Sequence, residues 1–444
     1  MRVVKGKKHI STFQIISLGF LLVILVGSLL LMLPFATVDG SCTSFADALF
    51  TSTSAVCVTG LVVHDTATYW SAFGQFVILL LIQIGGLGVV TITLTIAMFS
   101  GRKIGLMQRS TMQEAISAPK MSGIVRMTGF ILKTVFIFEL AGAIALSTVF
   151  CKEFGFFKGV WYALFHSVSA FCNAGFDLMG IKEEYSSLTS YATQPLVNVV
   201  IMILIIVGGI GFFTWEDIKT NKWKFKRYRM QSKVILVVTA FLIVLPTIYF
   251  FFCEYSYLPM GERFLSSAFQ AVTPRTAGFN TTDLTQMTEV GRMVIIILMM
   301  IGGSPGSTAG GMKTTTIAVL FSTGFSVFRR KEDVVLFKRR ISEGEPRNAG
   351  TILMMYLTLC LSGSMIISYL DGIPLMDTLF ETASAIGTVG LSIGVTSQAC
   401  SLSRAILIGL MFFGRVGGLT LVFAAASSKN YNISRYPKEK ITLG

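Results

Sequence analysis

Residues 49–61 read LFTSTSAVCVTGL, residues 164–176 LFHSVSAFCNAGF, residues 267–279 SAFQAVTPRTAGF and residues 379–391 LFETASAIGTVGL. Each is a short apolar stretch, dotted with small polar residues, that runs into a glycine. Phe50, Phe165 and Phe380 stand ten residues before Gly60, Gly175 and Gly390, whereas Phe269 stands nine before Gly278. The glycines recur at intervals of 115, 103 and 112 residues, so internal repetition governs the reading of every local motif. A long apolar run precedes each stretch. A second follows it and carries glycines: Gly85-Gly86-Leu87-Gly88, Gly208-Gly209-Ile210-Gly211, Gly302-Gly303, and Gly414 with Gly417-Gly418. The unit is a helix, a half-helix re-entering from outside, a turn and a second helix. Two spans per unit make the four units parallel, an arrangement that closes around an axis along the membrane normal.

Composition places the repeats in a bilayer. Of 444 residues, 53% are hydrophobic and 14% charged, with mean hydropathy +0.70; a soluble domain carries about 25% charge. A soluble enzyme, a nucleic-acid binder and a disordered chain are excluded. Apolar runs of spanning length fall at 11–35, 72–100, 127–150, 194–214, 232–253, 291–328 (long and interrupted), 349–370 and 404–426. Eight spans put both termini on one side. The segments 1–10, 101–126, 215–231 with Lys233, 329–348 and 427–444 hold 27 Lys/Arg and 8 Asp/Glu; those on the other side hold 7 and 14. The basic set is cytoplasmic by the Lys/Arg bias, which also accounts for the net charge of +14. The expected organisation is all-α: pore repeats at 11–100, 127–214, 232–328 and 349–426, joined by cytoplasmic linkers 101–126, 215–231 and 329–348, with a cytoplasmic tail 427–444. A signal peptide is not indicated at the N-terminus, because the apolar run is too long and no A-x-A site follows.

Non-helical backbone survives at membrane depth only inside protein or along a watery cavity. Four equivalent turns therefore belong around a common axis. Val58-Thr59-Gly60, Asn173-Ala174-Gly175, Thr276-Ala277-Gly278 and Thr388-Val389-Gly390 are small enough at their ends to aim carbonyls inward. Four such loops can replace the hydration shell of a cation, and the half-helices point their partly negative C-terminal ends the same way. Ten of the 14 acidic residues on the external side (Asp39, Asp47, Asp65, Asp177, Glu183, Glu184, Asp283, Asp371, Asp377 and Glu381) should concentrate cations there. The sixth run, MMIGGSPGSTAGGMKTTT (299–316), carries five glycines and a proline. Gly costs about 1 kcal/mol and Pro about 3 kcal/mol inside a helix, so this run should break into an intramembrane loop over 302–314. Lys313 and Arg415 are the cations furthest from water by sequence, and buried charge in a membrane is usually functional. The plainer readings are that the glycine clusters serve close helix packing and that Arg415 forms a packing ion pair.

Four diverged helix–pore loop–helix units, each with one filter glycine, resemble the Trk/Ktr/HKT superfamily of potassium transporters, and most of all its Ktr-type membrane subunits. The resemblance covers essentially the whole chain. It implies a multi-pass protein of a bacterial plasma membrane that translocates K⁺ in a channel-like manner. The filter glycines map to Gly60, Gly175, Gly278 and Gly390; only Thr388-Val389-Gly390 matches the T-V-G of potassium channels, and the second glycine is missing. The resemblance makes Gly302, Gly303, Ser304, Pro305, Gly306, Ser307, Thr308, Ala309, Gly310 and Gly311, with Lys313 and Arg415, a gate beneath the filter. It further implies a homodimer on a cytosolic RCK ring that binds ATP and ADP, this chain binding no nucleotide. The resemblance also implies Na⁺ as a second ion on which transport can depend.

Other residues speak less clearly. Glu139 suits a coupling ion or, more readily, a satisfied polar contact. His64 and His166 lack metal-ligand spacing, and the seven scattered cysteines form no C-x-x-C. No P-loop or Rossmann fingerprint occurs. A membrane enzyme would need a convergent catalytic constellation, and none is visible. Within transport, an alternating-access symporter is the rival, since such carriers also use broken helices.

Overall fold

The computed structural model describes residues 11–92, 105–116 and 123–425. The first unit comprises α1 (Thr12–Leu31), α2 (Phe45–Val56) and α3 (Ala72–Leu87). A short helix α4 (Leu106–Ala115) leads to the second unit: α5 (Ile124–Phe154), α6 (Phe156–Phe171), α7 (Pro195–Gly209) and α8 (Phe212–Asn221). The third holds α9 (Met230–Tyr249), α10 (Met260–Val272), α11 (Glu289–Met300) and α12 (Thr314–Phe328). A two-residue hairpin, β1 (Val335–Leu336) with β2 (Arg339–Arg340), precedes the fourth: α13 (Gly344–Asp371), α14 (Leu375–Gly387), α15 (Val395–Gln398), α16 (Ser401–Val416) and α17 (Gly418–Ala425).

The first helix of every unit is long and apolar enough to cross a bilayer: α1, α5, α9 with its π-helical extension to Glu254, and α13. Their outer faces are lipid-like, with Leu22, Phe136, Phe241 and Met354 at 60–70% exposure. The short helices α2, α6, α10 and α14 lie at the centre, and Phe50, Phe165, Phe269 and Phe380 are fully buried. Hydroxyls tie three of them to their own first helices: Ser52 Oγ donates to the Ile24 carbonyl (2.7 Å), Ser167 Oγ to that of Glu139 (2.6 Å) and Thr378 Oγ1 to that of Ser364 (3.1 Å). Bonded to carbonyls, these hydroxyls can be buried without an unmet donor.

The second helices depart from the expected continuous spans at 72–100, 194–214 and 404–426. α3 stops at Gly88 (φ 86°), α7 gives way to α8 at Gly211 (φ 89°) with a bend of 96°, and α16 stops at Gly417 (φ 92°). Three residues before each break, at Gly85, Gly208 and Gly414, an added Cβ would overlap the carbonyl of Val56, Phe171 or Ile386 at the C-terminal end of the unit's own short helix. The first glycine lets the helices touch and the second turns the chain away. In the third unit the corresponding pair is Gly302 and Pro305, and the break widens into the loop between α11 and α12 expected from the glycines. The ends of the first and fourth units, near 93–100 and 426, lie outside the described residues, as do the termini 1–10 and 427–444.

Candidate cation pathway

Four backbone segments of the same shape follow the short helices. Val58, Asn173, Thr276 and Thr388 all adopt the left-handed region (φ 52–66°), and Gly60, Gly175, Gly278 and Gly390 all have positive φ (72–92°). A side chain rarely adopts the left-handed region, so its recurrence two residues before each glycine marks a constrained turn. The glycines close a ring. A Cβ on Gly60 would strike the carbonyl oxygen of Ala174, one on Gly175 that of Ala277, one on Gly278 that of Val389, and one on Gly390 that of Thr59. Each glycine thus abuts the carbonyl just before the next unit's glycine, and the fourth returns to the first.

A row of hydroxyls that the sequence reading passed over holds these turns. Ser54 Oγ accepts from the Gly60 amide (3.1 Å) and Ser384 Oγ from that of Gly390 (3.0 Å), while Ser169 Oγ donates to the Phe176 carbonyl (2.7 Å) and Thr273 Oγ1 to that of Phe279. Each hydroxyl lies four residues after the buried phenylalanine. The residue missing from the third copy is therefore lost between Thr273 and Thr276. The Ala277 amide compensates by bonding to Thr273, four residues back, where Thr59, Ala174 and Val389 reach five.

Above the ring lies a cavity of about 280 Å³, lined by all four glycines and by Asp65, Asp177 and Asp283. The expected acidic surround shrinks to these three. Asp47 is taken by Arg404 (2.9 Å), Asp377 by Arg292 (3.3 Å), and Glu381 is buried against Ser392 and Thr396. Asp65 caps its own turn, accepting from the amides of Ala67, Thr68 and Tyr185. Burial pushes the Asp177 carboxyl up to about 7, the Met179 amide opposing and the charge of Asp65 reinforcing the shift. Asp283 is held below the usual carboxylate range, chiefly by the Thr285 hydroxyl.

The loop from Ile301 to Lys313 lies on the opposite side of the ring. The amides of Ser304 and Thr308 donate to the carbonyls of Gly209 (3.0 Å) and Gly208 (3.3 Å), and Phe212 donates to Gly306 (2.7 Å). The α7–α8 elbow is therefore a cradle for the loop. Thr308 Oγ1 donates to the Phe171 carbonyl (3.0 Å) and lies 3.2 Å from Asn173 Oδ1, while Gly310 packs on the Thr388 side chain with no room for a Cβ. Ser304 Oγ meets Thr314 Oγ1 (3.1 Å), and Ser307 Oγ donates to the Ser304 carbonyl (2.7 Å). Lys313 Nζ donates to the carbonyls of Ala309 (2.8 Å) and Gly310 (3.1 Å). Arg415 donates to Thr308, Gly85 and Gly86 carbonyls. Among the described residues it forms no ion pair: its bonds go to main-chain oxygens of the loop and of the first unit. A cavity of about 240 Å³ lies beside the loop, lined by Lys313, Arg415, Gly306 and Glu114. Ile116, just after α4, is buried with its carbonyl 2.7 Å from where a Gly306 Cβ would stand, so the C-terminal end of α4 reaches the loop.

Glu139 accepts from Gln83 Nε2 (3.3 Å), which favours the satisfied contact. His166 Nδ1 meets the Tyr162 carbonyl (2.7 Å) and Nε2 accepts from the Leu178 amide (3.3 Å), so both nitrogens are occupied structurally. Asn173, one of the expected filter residues, also links two turns. Its Nδ2 donates to the Arg275 carbonyl (3.1 Å), joining the second and third turns. Only its difference from Val58, Thr276 and Thr388 hinted at that.

Four repeated units around a ring of backbone carbonyls, their long apolar first helices exposed on the outside, are the architecture of a polytopic membrane protein. Residues 8–434 match TrkH, described as cation transport protein, and the chain belongs to that family. It is 41% identical to the potassium/sodium uptake protein NtpJ of Enterococcus hirae, over 99% of this chain and 98% of the relative. It is 39% identical to the Ktr system potassium uptake protein B of Bacillus subtilis, over 97% and 96%, and 34% identical to the protein of that name from Vibrio alginolyticus, over 97% and 94%. The potassium transporter TrkH of Vibrio parahaemolyticus shares the fold, with a TM-score of 0.75 and 19% identity over 96% of this chain and 87% of that one.

Proposed function

We propose that the chain is a potassium uptake subunit of a bacterial plasma membrane, with eight spans, four re-entrant pore loops and both termini cytoplasmic. K⁺ passes through the carbonyl ring of the four turns, and the 302–314 loop with Lys313 and Arg415 is the gate. The observation that carries this reading is the closed cycle of glycine-to-carbonyl contacts among Gly60, Gly175, Gly278 and Gly390. A ring of main-chain oxygens suits a dehydrated monovalent cation, and the uptake activity named for the relatives agrees with it. Na⁺ is the second ion to test, since one relative is named for both. The three internal cytoplasmic linkers, 101–126, 215–231 and 329–348, are each shorter than a sensing domain of about 50 residues or more. Regulation is assigned to a cytosolic nucleotide-binding RCK ring beneath a homodimer, ATP and ADP binding there.

The test is ⁸⁶Rb⁺ and ²²Na⁺ flux through the purified protein in liposomes. Rb⁺ flux above that of empty vesicles, blocked by excess K⁺, supports the reading. Flux no faster than a carrier cycle would favour the alternating-access rival. Nucleotide binding by the isolated chain would overturn the assigned division of labour.

A further inference from the structure

A second site lies on the outer wall of the second unit. A cavity of about 420 Å³ opens between α5 and the α7–α8 elbow, and its lining is apolar apart from two lysines, Lys133 and Lys219, and Thr134. Lys219 Nζ stands over the Phe130 ring, 4.7 Å from its centroid. Among the described residues neither lysine has a carboxylate partner. The acids next to Lys219 are engaged elsewhere: Glu216 pairs with Arg229 (2.8 Å), and Asp217 with Arg229 (3.4 Å) and Ser232 (2.6 Å).

The surroundings fix what can fill this groove. On α5, Phe136, Ile137 and Leu140 are 55–60% exposed, so the groove is continuous with the lipid-facing side of the helix. Lys133 lies six residues past Met127, where the apolar run begins, about 9 Å along α5 at 1.5 Å per residue. An ammonium at that depth is costly without an anion or a path to the interface. A ligand with one negative head and a long apolar tail matches both halves of the site, and basic pockets between spans on the cytoplasmic side suit anionic headgroups.

We propose that this groove binds one anionic phospholipid of the cytoplasmic leaflet, its phosphate between Lys133 and Lys219 and its acyl chain along Ile137 and Val207. The proposal rests on the orientation given above, with the basic side cytoplasmic. Its position gives it a consequence for transport. Ile210 lines the groove at the bend, and two residues on the Phe212 amide holds the Gly306 carbonyl of the loop (2.7 Å). A bound lipid braces the elbow that cradles the gate.

Native mass spectrometry of the full chain in detergent, titrated with phosphatidylglycerol or phosphatidylcholine, tests this. The wild type should retain one more phosphatidylglycerol than Lys133→Gln/Lys219→Gln, with at least tenfold weaker retention in that variant. Lys222→Gln/Lys224→Gln, which removes the same charge from exposed positions, should behave as wild type. Equal phosphatidylglycerol retention in all three proteins would overturn the proposal. So would equal retention of phosphatidylcholine, or a cross-link at Ile137 to a second copy of the chain in lipid-replete vesicles. Elution volume and melting temperature establish that the variants fold. Rb⁺ flux in the same preparations separates the two readings: a chain that conducts but shows no lysine-dependent lipid loses only this proposal.

Discussion

Thr308 Oγ1 lies 3.2 Å from Asn173 Oδ1, joining the loop between α11 and α12 to the second turn of the ring. Asn173 is left-handed, and its other side-chain atom holds the Arg275 carbonyl just before the third turn. Moving the loop away must therefore release a residue that shapes the ring itself. Thr308→Val keeps the branched shape and deletes the donor. Leaving a buried acceptor unmet costs about 1–3 kcal/mol. Basal Rb⁺ flux should rise about fivefold or more, since 1 kcal/mol corresponds to about fivefold, and the K⁺/Na⁺ preference should fall with it. A rise in flux with unchanged preference would show that loop and ring are independent.

Arg415 tests the gate more directly. Its guanidinium reaches one carbonyl of the loop and two of the first unit, and hydrogen bonds from charged donors contribute about 1.5–3 kcal/mol each. Arg415→Gln can replace only part of that fork. Basal flux without any partner protein should rise by about an order of magnitude, and Arg415→Lys should fall between because an ammonium lacks the planar geometry. Wild-type flux in both variants, at normal expression, would remove Arg415 from the gate.

The sequence exposed this arrangement unevenly. The phenylalanine-to-glycine spacing located the four turns, and the density of glycines at 302–311 located the loop, because both depend on local backbone freedom. The breaks at Gly88, Gly211 and Gly417 were hidden behind the plainer use of Gly85, Gly208 and Gly414 in helix contact; in these three units the two glycines are three residues apart, one for contact and one for the turn. Arg415 stands where Gly86, Gly209 and Gly303 stand in the other units. That alignment marks it as exceptional but does not name Thr308 or Gly85, which lie 107 and 330 residues away. Likewise the mouth acids look alike in sequence, and only the positions of Arg404 and Arg292 show that Asp47 and Asp377 are ion-paired.

The glycine ring makes a four-way prediction. In each of Gly60→Ala, Gly175→Ala, Gly278→Ala and Gly390→Ala the new methyl meets a carbonyl oxygen of the next unit, on a backbone whose left-handed φ costs roughly 1–2 kcal/mol for a side chain. All four should lose K⁺/Na⁺ preference while still inserting. Gly409→Ala is the control: nothing lies within 4 Å of its new Cβ, and it sits inside α16. It should transport normally and melt no lower than the wild type, as Ala favours a helix by about 1 kcal/mol over Gly. Unchanged preference in all four ring variants would dissolve the filter assignment.

The mouth supplies a pH dependence whose sign follows from burial. Burial pushes the Asp177 carboxyl up to about 7, so its carboxylate is charged above that pH and neutral below it. It lines the same cavity as the four glycines. A unit charge about 8 Å from an entering cation contributes on the order of 2 kcal/mol at an effective dielectric of 20, before salt screening. Lowering external pH from about 8 to about 6 should therefore raise the half-saturating K⁺ concentration several-fold. Asp177→Asn should show the weaker, acid-like affinity at both values and lose the dependence. Asp283 remains charged throughout this range because its pKa is depressed, so Asp283→Asn should weaken uptake at both pH values and leave the slope intact. The measurement is initial Rb⁺ uptake against external K⁺ at fixed ionic strength and internal pH. A slope that survives in Asp177→Asn would place the titrating group elsewhere in the protein.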